Sequence, residues 1–296
     1  MLPDLGAFFI FAVMEKVAFI INPFSAKKNY QPFLNELKNR VDDPLYYISE
    51  SIRGTDEFIQ ENFDKVDIFV AIGGDGTIST VARNLINTPK ILAIFPAGSG
   101  NGFSNETNFN KNLGDLLEKI KSARFRKIDT FMVNERLSIN VSGTGFDGKV
   151  VKRFEKTDRG FKNYIKVSFK TFFSFKSIKV RFSDEEYQKY NGKYLMLNIA
   201  NTRQFGNNAY IAPMASKSDG LVDVVLVKKF PFAYSLLFAF RMFTKRLKDD
   251  EYVTYLPVSD IKFKVNTKNW HLDGEFNKIK SPVHVKVLPK SLNILI

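Results

Sequence analysis

Apolar residues follow two regimes along this chain. In the first part, short apolar runs alternate with stretches in which apolar residues recur every three or four positions. Val17–Ile21, Leu45–Ile48, Val66–Ile72 and Ile91–Phe95 read as strands. Tyr30–Arg40, Thr55–Phe63, Thr77–Leu85 and Asn112–Ser122 read as helices, with Thr55 or Asp56 capping the second. Such alternation predicts a parallel sheet with helices on both faces. Near Ile128 the pattern changes. Lys127–Val133, Leu137–Val141, Ile178–Phe182, Tyr194–Ala200, Leu221–Val227, Ile261–Val265 and Val283–Leu288 read as strands, and Asn191-Gly192, Asp219-Gly220 and Asp273-Gly274 as turns between several of them. An antiparallel sandwich or barrel-like domain is expected there. A helix, Pro231–Leu247, interrupts it. That helix is rich in phenylalanine and basic at its end, so it either lies at a membrane interface or packs on the sheet. Phe161–Phe182 interleaves lysines with phenylalanines and reads as lipid-facing or simply half-exposed.

The chemistry concentrates where strands end. Val66–Ile72 runs into Gly73-Gly74-Asp75-Gly76-Thr77, after which Ile78, Val81, Ala82 and Leu85 share a helical face. A strand, a glycine turn and a helix N-terminus form an anion-binding device, because unpaired amides and the helix dipole favour negative charge. A carboxylate among phosphates repels them unless a cation or a proton transfer explains it. Asp75 therefore points to a nucleotide–Mg²⁺ enzyme rather than a passive phosphate cradle. The loops Asn22–Ala26 and Gly98–Asn101 also follow predicted strands. Ligands of open parallel sheets bind beyond the carboxyl ends of strands, so the three loops are placed to line one crevice. Asp273-Gly274-Glu275 sets two carboxylates around a flexible turn, a pair suited to a general base and its orienter. Glu275 reads as the proton acceptor and Asp273 as its partner.

Several motifs occur in a familiar order. Asn22-Pro23-Phe24-Ser25-Ala26 resembles N-P-x-S-G, and Gly73–Thr77 is G-G-D-G-T. Phe95–Phe103 resembles P-x-G-T-x-N-D-F, Gly143–Asp147 resembles G-x-G-F-D, and Asp273–Glu275 matches a late D-G-E. Across nearly the whole chain this resembles the diacylglycerol kinase-like and sphingosine kinase-like lipid kinases of bacterial type, relatives of the NAD kinases. The resemblance implies a Rossmann-like parallel α/β domain over 14–127, with 289–296 returning to it. It implies a β-sandwich acceptor domain over 128–288 and a nucleotide site in the interdomain cleft. ATP and Mg²⁺ are the implied cofactors, and the implied reaction carries the γ-phosphate to the hydroxyl of a membrane lipid such as diacylglycerol or a sphingoid base. The implied ATP-binding residues are Asn22, Pro23, Ser25, Ser49, Gly73, Gly74, Asp75, Gly76, Thr77, Ser79, Gly98, Ser99 and Asn101. The implied catalytic residues are Asp75, Asp273 and Glu275. Ser218-Asp219-Gly220-Leu221-Val222-Asp223 resembles a structural Mg²⁺ site, D-D-G-x-x-D, leaving Asp219, the Leu221 carbonyl and Asp223 as its ligands. Ala26, Gly102 and Ser218 depart from the family pattern. Two alternatives stand beside the lipid kinase: phosphorylation of a soluble acceptor as in NAD kinases, and a catalytically weak nucleotide- or lipid-binding regulator.

Composition narrows the field further. The chain has 296 residues and no cysteine, which excludes disulfides, thiolate metal sites and cysteine nucleophiles. Only His271 and His284 are available, so a metal site with three histidines is impossible. A formal charge of +13 favours polyanions such as nucleotides or anionic membrane. No nucleic-acid-binding motif accompanies it. Neither Met1–Val13 nor the phenylalanine-rich helix is long enough to span a bilayer. Met14 reads as the natural start, with residues 1–13 an upstream extension or a short membrane-interacting segment. A cytoplasmic enzyme in peripheral contact with anionic membrane is the resulting expectation, with an open strand edge that permits a homodimer.

Overall fold

The computed structural model describes residues 16–25, 29–98, 100–154 and 161–296. The chain divides into two compact units, Met1–Ile128 with Ser291–Ile296, and Asp129–Lys290. The expected extension 1–13, Met14, Ala26 and Ser99 lie outside the described residues.

In the first unit, β1 (Val17–Ile21), β2 (Leu45–Ile48), β3 (Ile68–Gly73) and β4 (Ile91–Pro96) form a parallel sheet in the order β2-β1-β3-β4. Asn293 and Ile294, near the C-terminus, pair in parallel with Ile91 and Leu92. Every residue of β1 and β3 is buried, as a sheet covered on both faces requires. The connections carry α1 (Gln31–Arg40), α2 (Ile52–Glu61) and α3 (Asp75–Leu85); α4 (Gly102–Glu106) and α5 (Leu113–Ser122) follow β4. Two helices begin earlier than the spacing predicts. Ser51, in extended backbone, accepts the Gly54 N–H at 3.0 Å and caps α2. Thr55, the expected cap, is instead a buried residue of that helix. α3 starts at Asp75, so Asp75 and Gly76 belong to its first turn. An acid there complements the positive end of the helix dipole.

The second unit begins within β5 (Phe125–Val133), which pairs with β6 (Arg136–Ser138). β7 (Val141–Gly145), α6 (Phe146–Phe154), α7 (Phe161–Ser174), β8 (Ile178–Phe182), β9 (Gly192–Tyr194), β10 (Met196–Ala200) and β11 (Val222–Val227) follow. After α8 (Phe232–Phe243) come β12 (Val253–Val258), β13 (Asp260–Val265), β14 (Asn269–Leu272), β15 (Glu275–Lys278) and β16 (Val283–Leu295). One antiparallel sheet has the order β12-β11-β10-β7-β14-β15, and a second runs β16-β13-β8-β9. β8 and β13 alternate buried and exposed residues along their length, as sheets with one wet face do. Their inward aromatics meet those of the other sheet. The fully buried Trp270 of β14 stacks 6.3 Å from Phe263, which lies 5.7 Å from Phe182. The expected β-sandwich-like domain is therefore what forms.

Local departures have local causes. Leu137–Val141 is two strands rather than one, because the amides of Ile139 and Asn140 turn toward the Asp273 carboxylate. The G-x-G-F-D segment ends β7 at Gly145, with φ 103°, and continues as the unanticipated helix α6. Phe161–Phe182 contains helix α7 as well as β8. The expected strand Val283–Leu288 and the returning segment after it form one strand, β16, with an irregularity at Lys290, φ 51°. Asp129, fully buried, holds that irregularity by accepting the Lys290 N–H at 2.7 Å while its other oxygen accepts the Gly220 N–H at 2.7 Å. Among the described residues no helix is long and apolar enough to cross a membrane.

Asp129→Ala leaves both amides without their acceptor inside the fold. A loss of about 2–4 kcal/mol is expected, read as a lower urea midpoint at constant slope. An unchanged midpoint contradicts this account of the β16 irregularity.

Candidate functional site

Adjacent strands β1, β3 and β4 deliver their carboxyl-end loops side by side. The Asn22 N–H donates to the Ile72 carbonyl at 2.9 Å, and the Ala97 N–H to the Gly73 carbonyl at 2.8 Å. Side chains then tie the loops together. Asn22 Nδ2 donates to Thr77 Oγ1 at 2.8 Å, and Asn22 Oδ1 accepts the Phe24 N–H at 2.9 Å. The two glycine loops touch through their backbones: a Cβ on Gly98 would stand 2.5 Å from the Gly74 Cα. A Cβ on Gly73 would strike the Thr77 side chain. These glycines are thus required by loop-to-loop and loop-to-helix packing as well as by any ligand.

Asp75 bridges the second and third loops. Its Oδ2 accepts the Gly102 N–H and its Oδ1 the Phe103 N–H, both at 3.1 Å, so the carboxylate sits at the start of α4. Gly102, which departs from the family's aspartate, supplies one of these amides. Asn101 lies just before α4 in the left-handed region, φ 50°. Its Oδ1 and the Ser104 Oγ are buried and find no partner among the described residues. Buried polar atoms of this kind are normally met by water or a ligand. Gly74 caps α3 with no side-chain acceptor. Asn22, Gly73, Gly74, Asp75, Thr77, Gly98 and Asn101 are therefore one assembly. Pro23 and Ser25 belong to its first loop, Gly76 to the first turn of α3, and Ser79 to the following turn. Ser49 stands after β2, its hydroxyl 2.7 Å from that of Thr55. Ser104 had no signal in sequence beyond its place behind the third loop.

In the second unit, Asp273 and Gly274 form a two-residue hairpin turn between β14 and β15, with φ 50° and 89°. The Asp273 side chain turns inward. It accepts Ser138 Oγ at 2.6 Å, the Ile139 N–H at 3.1 Å and the Asn140 N–H at 2.9 Å. A carboxylate so occupied clamps a turn; Glu275, beside it on the hairpin, is exposed. Asp219 Oδ1 accepts the Leu221 N–H at 3.1 Å, and Asp223 stands on β11. Burial first, then the charges of Asp219 and Asp249, push the Asp223 carboxyl up to about 6. Among the described residues no group of three or more His, Asp or Glu side chains is placed to hold a metal.

A buried polar cluster escaped the sequence reading. His271 Nε2 lies 3.1 Å from Asp147 Oδ2, and Gly148 donates its N–H to Asp147 Oδ1 at 2.8 Å. Asn198 and His271 flank Gly143 on neighbouring strands. Both amide atoms of Asn198 and Nδ1 of His271 are buried without a partner among the described residues. A Cβ on Gly143 would collide with Asn198 Oδ1 and Asp147 Oδ2. Asp147 was visible as the last letter of G-x-G-F-D. Asn198, one polar residue inside an apolar strand, was the other available signal.

Comparison with known proteins agrees with this architecture. Residues 16–133 match the diacylglycerol kinase catalytic domain, and residues 140–296 match the YegS C-terminal NAD kinase beta sandwich-like domain. The chain belongs to this family of diacylglycerol kinase-like and YegS-like lipid kinases. A diacylglycerol kinase of Bacillus subtilis is 22% identical over 89% of this chain and 90% of its own length. A protein of Pseudomonas aeruginosa named a probable YegS-like lipid kinase is 32% identical over 53% of each chain. A crystal structure of a diacylglycerol kinase from Bacillus anthracis superposes with a TM-score of 0.71 at 18% identity, covering 95% of this chain and 96% of that one.

Two outcomes follow from this geometry. Gly98→Ala must push the two glycine loops apart, lowering the melting temperature by several degrees, about 1–3 kcal/mol; unchanged melting would mean the loops do not touch. Asp223 gives a pH signature. Its folded value of about 6 exceeds its ordinary 3.8, so its contribution is complete below 3.8 and is lost as pH rises through 6. Asp223→Asn removes that slope. Relative to the variant, the wild type is expected to be more stable at pH 4 than at pH 7 in urea titrations. A pH-independent difference contradicts the assignment.

Proposed function

We propose that this protein is an ATP-dependent lipid kinase that transfers the γ-phosphate of ATP to a hydroxyl of a membrane lipid, diacylglycerol or a sphingoid base being the chemical type. The reading is carried by the convergence of Asn22, the Gly73–Thr77 turn and the Gly98–Asn101 loop at neighbouring strand ends, in a chain of the lipid kinase family. The residues present suit a nucleotide. Thr77 offers a hydroxyl and Asn22 an amide, α3 directs its positive end at the turn, and the unpartnered Asn101 Oδ1 and Ser104 Oγ await a donor or acceptor. Pro23, Ser25, Gly76, Ser79 and Gly98 complete the nucleotide-side set, with Ser49 at its edge.

Mg²⁺ of such an enzyme is held by phosphates with one or two carboxylates, so it requires no three-carboxylate cage in the protein. Asp75 is the acid in place for it, and its hold on Gly102 and Phe103 orients it. Glu275 is the general base for the lipid hydroxyl. Asp273 acts through the hairpin: its clamp on residues 138–140 sets the turn on which Glu275 stands. Asp219, the Leu221 carbonyl and Asp223 are the proposed ligands of a second, structural Mg²⁺.

The test is transfer from radiolabelled ATP to a lipid panel in mixed micelles. A labelled lipid is expected, with its rate reduced about 10²–10⁴-fold by Glu275→Gln and strongly by Asp75→Asn. Label on a soluble acceptor alone, or ATP binding without transfer to any acceptor, overturns the lipid kinase assignment.

A further inference from the structure

Helices α7 and α8 of the second unit leave a shared aromatic surface in solvent. Phe169 and Phe173 of α7 are 55% and 61% exposed, and Phe232 at the start of α8 is 44% exposed. The three rings touch one another, with centroids 5.2 Å apart for Phe169–Phe173, 5.8 Å for Phe169–Phe232 and 5.2 Å for Phe173–Phe232. The surface continues along α8 through Leu236 and Phe240, 72% and 55% exposed, at the four-residue spacing that places side chains on one stripe. Beneath it, Phe172 packs on the buried Phe230 with centroids 5.6 Å apart, so the outer rings rest on the core of the unit. Contiguous apolar exposure of this kind marks an interaction site, whereas scattered exposed residues do not.

Charge identifies the partner. Lys166 and Lys170 are exposed and precede Phe169 and Phe173 by three residues each, on the same face of α7. Lys245 and Arg246 are exposed just past the end of α8. Neither helix contains an aspartate or glutamate. Apolar rings set among cations match the boundary between acyl chains and anionic headgroups, where both components bind at once. A protein partner would have to supply an apolar face ringed with acids, and a second copy of this chain would bring like charges together.

We propose that the α7–α8 surface docks this protein on bilayers containing anionic lipid, with Phe169, Phe173, Phe232, Leu236 and Phe240 inserted at the interface and Lys166 and Lys170 on the headgroups. The lipid kinase reading supplies its purpose, because the acceptor of such an enzyme resides in the bilayer, but docking is measured without any phosphorylation.

The experiment is co-sedimentation of the full chain with vesicles of phosphatidylglycerol and phosphatidylcholine, and with vesicles of phosphatidylcholine alone. The wild type is expected to pellet with the anionic vesicles. Phe169→Ser/Phe173→Ser/Phe240→Ser should lower the partition coefficient at least about tenfold, while Met214→Ser, at a highly exposed residue outside the surface, should not. Lys166→Glu/Lys170→Glu should abolish the preference for anionic over neutral vesicles. Circular dichroism and melting of each variant confirm an intact fold. Wild-type protein that ignores anionic vesicles, or an intact triple variant that binds them equally, overturns the proposal. So does a dimer that the triple variant dissociates while vesicle binding is absent, which would assign the surface to a second copy. Phosphorylation of a dispersed short-chain acceptor should survive in the triple variant. Vesicle binding without phosphorylation of any acceptor would sink the kinase reading and leave the docking surface standing.

Discussion

The contact between two glycine loops is the constraint on which the first unit's chemistry depends. Gly74 and Gly98 approach so closely that neither position has room for a side chain without displacing the other backbone. That approach follows from β3 and β4 being parallel neighbours in register, Gly73 opposite Pro96. It brings the start of α4 within reach of the Asp75 carboxylate, which then satisfies two of its amides. A chain of consequences therefore runs from strand register, through loop packing, to the placement of an acid at the mouth of a helix N-terminus. The same acid serves the fold and is the one proposed to face the nucleotide's cation, so a structural and a chemical role are compatible at this residue.

The second unit uses buried carboxylates in a comparable manner. Asp129 fastens the irregular point of β16, and Asp273 fastens the turn between β6 and β7. Each accepts backbone donors that the strand ladders leave unpaired, which is the cheapest way to bury an irregular backbone. Asp147, His271 and Asn198 differ. They lie side by side at Gly143 with several polar atoms unmatched among the described residues, so their site retains hydrogen-bonding capacity that these residues do not consume. Unmatched capacity also marks Asn101 and Ser104 in the first unit. Asn101 belongs to a loop that the family resemblance implies for the nucleotide and Asp147 to the G-x-G-F-D motif; the core between the sheets is largely apolar but holds one such group of its own, the buried Trp270 Nε1.

The proposed function joins two demands of opposite chemistry. A nucleotide requires fixed donors and a cation at strand ends, while a lipid requires an enzyme that reaches apolar material. In the docking proposed above, the exposed rings of α7 and α8 meet the second demand, and among the described residues no helix is long and apolar enough to cross a membrane. Phe172 and Phe230 already support these rings, so the proposed insertion requires little rearrangement.

Much of this was legible in the chain. Hydrophobic period separated the parallel α/β part from the antiparallel part because helices and strands bury different spacings, and the ordered glycine-acid motifs carried the family. Helix starts were less legible: Ser51 rather than Thr55 caps α2, since capping depends on which hydroxyl meets a free amide in extended backbone. The run 137–141 looks like one strand, and only the long-range pull of Asp273 on residues 139 and 140 divides it. By itself the sequence determined most element types and the tight turn at Asp273-Gly274, because these depend on neighbours a few residues away, although helices α6 and α7 escaped it. Tertiary structure alone decided that Asp75 bonds Gly102 and Phe103, that Asp273 faces inward while Glu275 faces out, and that two separate phenylalanine-rich helices make one surface. Those outcomes rest on contacts between residues far apart in the chain, which local spacing does not encode.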